Sequence, residues 1–457
     1  MAEHLLSVGL DVGTTTTQLV VSRLTVENQA SAFAVPHMQI QERRILYESP
    51  VYETPLQSKE LVDGQAIRKL VEGEYAAAGI TPEQVDTGAV IITGETSRKE
   101  NAATVLAVLA ELAGKFVVAT AGPDLESVLA AKGAGADTYS ETERCSVLHV
   151  DIGGGTSNLA LCCEGRIEKT GCLNVGGRLV RLDAEGSVRY ISPVLKSLVE
   201  YKEGDVITRE QAWQTAVMLA SALEMAAGLR PADALLTRLI TAEANPWIPV
   251  EGVTLSFSGG VADCIEQELP WLCYQDLGPL LGQAIAKSRL CGNGYRLGNQ
   301  TIRATVIGAG CYSTQLSGST VYLKNARLPA HNLPVVRLTS QEQALPAADL
   351  SALIGKRMAA LDTWGVLAMP GWNSPAYSRV TALADGVAGA MMRKPCYVVL
   401  EQDMAKVLGQ ALALRLPGQE PCVCIDGVSL QEGCYLDIGA PVGPAVAVTV
   451  KTLIFGD

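Results

Sequence analysis

The chain has 457 residues, of which 48% are apolar and 18% charged, and its formal net charge is −12. This length allows two or three domains with full-sized cores, and the composition is that of a folded globular protein. The acidic charge argues against nucleic acid and anionic membranes as partners. No basic N-terminal segment precedes a long apolar core, so no signal peptide is expected, and no run reaches the ~18 apolar residues of a membrane-spanning helix.

The first predicted strand, residues 5–10, ends at a carboxylate, Asp11, and a second strand over 18–24 predicts a hairpin. The turn between them contains Gly13, Thr14, Thr15 and Thr16. Glycines let backbone N–H groups approach phosphate oxygens, and a carboxylate at a strand end can hold Mg²⁺ directly or through water. The segment therefore suits a polyphosphate with its metal. In isolation it is more typical of a tight β-turn than of a phosphate site.

The following segment alternates predicted helices (62–79 and 101–113) with predicted strands (89–93 and 116–119). Glu95 lies just after the first of these strands. A further helix is predicted over 122–133, where a proline suits the first helical turn and small residues follow. Because small side chains allow close packing against a neighbour, this helix is interpreted as a connector between two halves of the protein.

A second carboxylate turn follows the predicted strand at residues 147–150, and it repeats the first about 140 residues later. It contains Asp151, Gly153, Gly154, Gly155 and Thr156. Repeats of this kind indicate related structural units. Two such turns favour phosphate binding between two related halves over two unrelated β-turns.

The rest of the second half is predicted as strands, a long helix over 208–229, and two further glycine-rich turns. The turns comprise Gly176, Gly177, Ser258, Gly259 and Gly260. Residues 301–307 are predicted as a strand that ends at Gly308 and Gly310. After Pro329 the chain alternates short helices and strands, which predicts a separate small α/β domain. The predicted units are therefore 1–144, 145–329 and 330–457.

The twelve cysteines and four histidines form no spacing typical of a metal site. The closest cysteine pairs are Cys162 with Cys163 and Cys422 with Cys424. Both lie in strand-like runs in which alternate residues are expected to face opposite sides, so neither is predicted to be a zinc or iron–sulfur half-site. Reduced, mostly buried thiols are expected.

The ordered set of glycine turns resembles that of the actin, Hsp70 and sugar-kinase superfamily over residues 1 to about 315. Within that superfamily, whole phrases such as LLSVGLDVGTTTTQ, VVATAGPDLESV and the final VTVKTLIF resemble the ethanolamine ammonia-lyase reactivating protein family. This second resemblance spans nearly the whole chain. It implies an actin-like ATPase fold, with two ribonuclease-H-like halves around a nucleotide cleft, plus a C-terminal α/β domain.

The resemblance also implies cofactors, a partner and site roles. The cofactors are ATP or ADP with Mg²⁺, and the partner is ethanolamine ammonia-lyase, from which a damaged cobalamin is released in exchange for an intact one. Asp11 and Asp151 would organise the Mg²⁺, Ser258, Gly259 and Gly260 would hold adenosine, and Gly176 and Gly177 would lie near the ribose. Gly308 and Gly310 belong to the second connector. The expected location is the cytoplasm, with the ethanolamine-utilisation microcompartment as a possible place of association, and a homodimer is left open.

One position departs from the Hsp70-like pattern. Those proteins carry a glutamate directly before the proline of the first connector, where it positions the attacking water, but here the position is Gly122. Glu126 and Glu95 are the nearest candidate substitutes. Because phosphoryl transfer depends on placing the nucleophile, weak ATPase activity is expected.

Three other functions are compatible with the same fold. An ATP-dependent activator of a radical dehydratase would use cysteines to hold an iron–sulfur cluster, and Cys145, Cys162, Cys163, Cys172 and Cys311 are the candidates. A small-molecule kinase would need a substrate base in the cleft, and no aspartate stands out for that role. A filament-forming protein would sediment in an ATP-dependent manner.

Overall fold

The computed structural model of the chain describes residues 3–13, 16–30, 38–57, 61–93, 117–120, 123–241, 247, 251–318, 320–361, 363–416 and 418–452. Thr14, Thr15, Glu95 and Gly122 lie outside these ranges, and so does the helix predicted over 101–113. In the described part of the chain, no helix is both long enough and apolar enough to span a bilayer.

The first sheet joins an antiparallel meander to two parallel strands. Its strands are β1 (Glu3–Val12), β2 (Thr16–Asn28), β3 (Met38–Glu48), β4 (Tyr52–Glu53), β5 (Thr87–Ile92) and β6 (Val117–Thr120). The order is β3-β2-β1-β5-β6, with β4 beside β2. Helix α1 (Gly64–Ala78) packs on this sheet through Ile67 and Val71. It begins at Asp63, whose side chain accepts the Ala66 N–H, and ends at Gly79 in the left-handed conformation.

The second sheet repeats this topology. Its strands are β7 (Ser146–Ile152), β8 (Ser157–Cys163), β9 (Arg166–Leu173), β12 (Thr254–Ser258) and β13 (Tyr295–Leu297), in the order β13-β12-β7-β8-β9. A separate hairpin follows β9 in the chain and consists of β10 (Val180–Leu182) and β11 (Val188–Ile191). The helices that come later in this half are α4 (Arg209–Ala226), α5 (Ala234–Leu239) and α6 (Gly278–Ala286). In both sheets the central strand pairs antiparallel with the next strand of the chain and parallel with a later one. The α/β class and the two related halves are therefore confirmed.

Two helices, α2 (Pro123–Gly133) and α7 (Ala304–Tyr312), pack closely against each other between the halves, and the short α3 (Ala136–Thr142) follows α2. A Cβ on Gly308 would lie 2.1 Å from the Leu129 carbonyl oxygen, and one on Gly133 would lie 1.8 Å from the Ala304 carbonyl oxygen. Glycine is therefore needed where the helix backbones meet. The strand predicted over 301–307 is wrong, because residues 301–303 form a turn and α7 begins at Ala304. Its β-branched residues favour a strand locally, but packing in the core holds them in α7.

The third sheet has eight strands: β14 (Thr314–Leu316), β15 (Val321–Lys324), β16 (Ala330–Arg337), β17 (Val366–Met369), β18 (Cys396–Leu400), β19 (Cys422–Ile425), β20 (Cys434–Val442) and β21 (Ala445–Thr452). Helices α8 (Ala347–Ala359), α9 (Tyr377–Ala390) and α10 (Ala405–Ala413) pack on it. The predicted domain boundary lies at 330, whereas β14 and β15 already pair in this sheet. Strands of three or four residues carry too little periodicity to be assigned from sequence.

The C-terminal sheet packs against the first half. Leu5, Leu24 and Val26 share one buried cluster with Val442 and Ala445. This contact removes an apolar face of the first half from water, so the C-terminal domain contributes to the stability of that half.

The sequence interpretation of the Cys422 and Cys424 pair is wrong about side-chain direction. Residues two apart on a strand face the same side, and both cysteines belong to one cluster with Cys396 on the neighbouring strand. In the pairing of β18 with β19, Cys396 lies opposite Cys422. All three are free and buried, as expected for reduced thiols.

Candidate functional site

The two carboxylate turns have the same backbone geometry. Asp11 pairs with Gln18 across the first hairpin, and Asp151 pairs with Asn158 across the second. In the first turn the Gly13 N–H donates to the carbonyl oxygen three residues later, at 2.9 Å, and the Gly153 N–H does the same at 2.9 Å in the second. The repeat seen in the sequence is therefore a repeat of structure.

Both turns line one cleft between the two halves, with a volume of about 270 Å³. Predicted site residues that line it are Asp11, Gly13, Thr16, Glu126, Asp151, Gly153, Gly154, Gly155, Thr156, Gly177, Gly259 and Gly260. The cleft thus brings together residues that are up to about 250 positions apart in the chain. It approaches the volume typical of small-molecule sites.

Asp151 lies at the end of β7 and is only 6% exposed. The Ser258 hydroxyl donates to its Oδ1, and the Thr305 hydroxyl lies 3.4 Å from its Oδ2. Burial raises the pKa of Asp151 to about 6, and the two hydroxyls oppose this shift. The carboxylate is therefore fixed in orientation from two sides and largely ionised at neutral pH.

Asp11 occupies the equivalent position in the first half and has one hydroxyl partner, Thr93, at 2.9 Å. Burial raises its pKa to about 7; the Thr93 hydrogen bond lowers it, and the nearby Asp151 carboxylate raises it further. Two carboxylates that resist ionisation together favour a cation between them.

The residues of the cleft fit a magnesium–nucleotide complex. Mg²⁺ usually keeps several waters and binds through one or two carboxylates together with substrate phosphates. Within the described residues, no three His, Cys, Asp or Glu side chains converge into a metal-binding group. Asp11 and Asp151 are the two carboxylates that would serve, and the hydroxyls and bare glycine backbones of the turns suit phosphate oxygens.

Two glycines in the second half cannot be replaced without moving the backbone. Gly259 has φ +85°, and a Cβ there would lie 2.3 Å from the Ile152 carbonyl oxygen. A Cβ on Gly176 would lie 2.4 Å from the Gly154 carbonyl oxygen. At both glycines, the backbone of another turn packs directly against the second carboxylate turn. This packing holds the backbone of the carboxylate turn in place.

Four predicted site residues are not among those that line the cleft: Gly176, Ser258, Gly308 and Gly310. The Ser258 hydroxyl donates to Asp151 Oδ1, and its Oγ lies 2.8 Å from His149 Nε2. Gly308 and Gly310 belong to α7 and pack against Leu129 and Gly9, and they are not among the residues that line the cleft. Glu126, in the first turn of α2, does line it.

Similarity to known proteins identifies the family of this chain. The family model described as "Ethanolamine utilisation protein EutA" matches residues 3–456. The chain belongs to this family. Two curated relatives are named "Ethanolamine ammonia-lyase reactivase EutA". The one from Salmonella typhimurium is 40% identical over 477 residues, and the one from Escherichia coli is 41% identical over 468 residues; each match covers 99% of both chains. The family predicted from the sequence is confirmed.

Solved structures resemble the chain only distantly. An Aquifex aeolicus member of the Ppx/GppA protein family aligns over 67% of this chain and 97% of its own, with a TM-score of 0.42 and 11% identity. The ethanolamine utilization protein EutJ from Carboxydothermus hydrogenoformans aligns over 66% of this chain and 88% of its own, with a TM-score of 0.32 and 17% identity. The fold assignment for this EutA-family chain therefore rests on its own strand order.

Sequence reasoning missed a pair of opposite charges in the cleft. Arg178 Nε lies 3.2 Å from Asp276 Oδ2, and both residues line the cleft. The buried Asp276 also accepts the Gly278 N–H at 2.7 Å. Arg178 directly follows the Gly176–Gly177 turn, and this position in the sequence could have marked it as a site residue. Its partner Asp276 lies in another segment, which has no recognisable motif.

Proposed function

We propose that this chain is an ATP-dependent reactivating factor for ethanolamine ammonia-lyase, which promotes exchange of a damaged cobalamin for an intact one. The observation that carries this proposal is the 40% identity over 99% of both chains to a relative named for that activity. The identity extends over the C-terminal domain as well. Similarity of fold alone would not explain that extent.

The cleft is proposed to bind ATP or ADP with Mg²⁺. Bound Mg²⁺ would neutralise phosphate charge, and Asp11 and Asp151 would hold it through its waters. The turns at Gly13–Thr16 and Gly153–Thr156 would donate backbone and hydroxyl hydrogen bonds to the phosphates. Arg178, which the Asp276 carboxylate keeps in the cleft, provides a positive charge for the nucleotide.

Nucleotide state is proposed to set the angle between the halves. A ligand shifts a conformational equilibrium only by its differential affinity for the two states. ATP and ADP differ at the phosphate turns, and α7 contacts both halves near those turns, through Gly310 against Gly9 and through Thr305 beside Asp151. Lyase binding would be coupled to the same equilibrium.

Hydrolysis is proposed to be slow, and Glu126 is the described residue best placed to orient the attacking water. It lines the cleft from the first turn of α2. It stands one helical turn beyond the position that carries the glutamate in Hsp70-like proteins. A slow switch suits a protein that acts on a partner enzyme.

The test uses lyase inactivated by a tightly bound cobalamin analogue. The protein, MgATP and free adenosylcobalamin are added, and ethanolamine deamination is followed; parallel samples lack ATP or contain ADP. Recovery that requires ATP supports the proposal. Failure of folded, nucleotide-binding protein to restore activity would contradict it.

The C-terminal domain is proposed to help engage the lyase, in the cytoplasm or at the microcompartment of ethanolamine utilisation. None of the cleft-lining residues belongs to this domain. Its helices α8, α9 and α10 cover the third sheet, and their outer faces are available to a partner.

A further inference from the structure

A buried histidine lies behind the second carboxylate turn. His149 is fully buried on β7, and its ring nitrogens contact two serines of β12: Nδ1 lies 3.1 Å from Ser256 Oγ, and Nε2 lies 2.8 Å from Ser258 Oγ. The parallel register places Ser256 opposite His149 and Ser258 opposite Asp151. Because residues two apart on a strand share a face, the four polar side chains form one row that ends at the cleft.

The number of hydrogens available decides which group donates and which accepts in each hydrogen bond of this row. The Ser258 hydroxyl donates to Asp151 Oδ1, so its single hydrogen is used in that bond. Ser258 Oγ must then accept a hydrogen from His149 Nε2. A neutral ring carries one N–H, so Nδ1 is left to accept from Ser256. The ring is fully buried, and burial favours its neutral form. The hydrogen bonds therefore all point toward Asp151.

The described part of the first half has no corresponding row of polar side chains behind Asp11. Position 9 is the counterpart of His149, two residues before the aspartate, and it is a glycine that the backbone of α7 approaches closely. Within the described residues, Asp11 accepts a side-chain hydrogen bond from Thr93. An apolar residue at 149 would fill the core without the cost of burying an imidazole. The polar row is thus a specific feature of Asp151.

We propose that His149 is a positioning residue of the nucleotide cleft, which fixes the Ser258 hydroxyl and through it the orientation of the Asp151 carboxylate toward the metal–nucleotide complex. This inference rests on the proposed nucleotide binding. On this inference, the role of Ser258 is to hold the Asp151 carboxylate in position. Outer contacts that orient a metal-binding group typically change metal affinity or activity by 10- to 100-fold when they are removed.

The test compares His149→Leu, which removes both ring hydrogen bonds at similar volume, with His149→Gln, which keeps an N–H donor near the Nε2 position. The matched control is Val150→Ala, a buried change on the opposite face of β7. For each protein, MgADP and metal-free ADP binding are measured by calorimetry, hydrolysis is measured against Mg²⁺ concentration, and Tm is recorded.

We expect His149→Leu to weaken MgADP binding about 10-fold, to raise the half-saturating Mg²⁺ concentration similarly, and to leave metal-free ADP binding nearly unchanged. His149→Gln should recover most of the loss, and Val150→Ala should lower Tm without affecting Mg²⁺ dependence. Equal behaviour of His149→Leu and Val150→Ala would overturn the inference. If the wild type binds no nucleotide, the proposed function fails instead.

A second measurement needs no folded leucine variant. In ¹⁵N-histidine-labelled wild-type protein, the ring of His149, assigned by its loss in His149→Gln, should show a protonated Nε2 and an unprotonated Nδ1. Its Nε2–H signal should shift on addition of MgADP and less on addition of ADP alone. The opposite tautomer, or a signal indifferent to MgADP, would overturn the inference.

Discussion

Thr305 Oγ1 lies 3.4 Å from Asp151 Oδ2, so the connector helix α7 contacts the carboxylate at the end of β7. Further along the same helix, Gly310 packs against Gly9, two residues before Asp11. A single rigid helix therefore contacts the strands that deliver both carboxylates. A change in the distance between the carboxylates, such as a bound phosphate would impose, must either move α7 or be resisted by it.

The first prediction concerns the two carboxylates. Asp11→Asn or Asp151→Asn keeps the side-chain shape but removes the charge that would hold Mg²⁺, so we expect MgATP hydrolysis to fall about 100-fold or more, with reactivation of lyase lost. Both variants should remain folded by circular dichroism. Asp385→Asn, at an exposed ion pair with Arg415 in the C-terminal domain, is the control and should retain full activity. Normal turnover in both cleft variants would remove the carboxylates from the site.

The same carboxylates predict how stability depends on pH in the nucleotide-free protein. Their folded pKa values, about 7 and about 6, lie above the unfolded value near 3.8, so the folded state binds more protons and its stability falls as pH rises through this window. Between pH 5 and 7.5 we expect urea unfolding to show a loss of about 4 kcal/mol. The double asparagine variant should lack this slope. An equal slope in both proteins would contradict the assignment.

A third prediction tests the contact between the connectors. A Cβ on Gly308 would lie 2.1 Å from the Leu129 carbonyl oxygen, so Gly308→Ala must push α7 away from α2, at a cost of about 1–3 kcal/mol. We expect retained MgADP binding but strongly reduced reactivation. Gly355→Ala, on α8 with open space around its Cβ position, is the matched control. Reactivation at the wild-type rate by Gly308→Ala would show that the connectors need not pack this closely.

The sequence predicts those site residues whose role is encoded by a motif in their own segment. It does not predict residues whose role depends on a contact with a distant segment. The two turns repeat locally, so Asp11 and Asp151 were identified from the sequence and lie together in the cleft. The pairing of Arg178 with Asp276 depends on a contact across 98 positions, and no local pattern encodes it. His149 reads as one polar residue within an apolar strand, and its role depends on the register of β7 against β12. The helical state of α7 depends on glycines fitting a neighbouring backbone, which outweighs its β-branched residues.

The last prediction separates two roles of the C-terminal domain. Deleting residues 330–457 cannot test lyase binding cleanly, because Leu24 and Val26 pack against Val442 and Ala445, and the truncated first half would expose them. Hydrogen exchange on the intact protein avoids this difficulty. If the domain engages lyase, adding lyase should slow amide exchange in α8, α9 or α10, whereas MgADP alone should slow exchange at the carboxylate turns. The Gly355→Ala variant serves as a folded reference protein for amide exchange in α8. Protection by lyase confined to residues before Thr314 would show that the domain stabilises the first half and does not bind the partner.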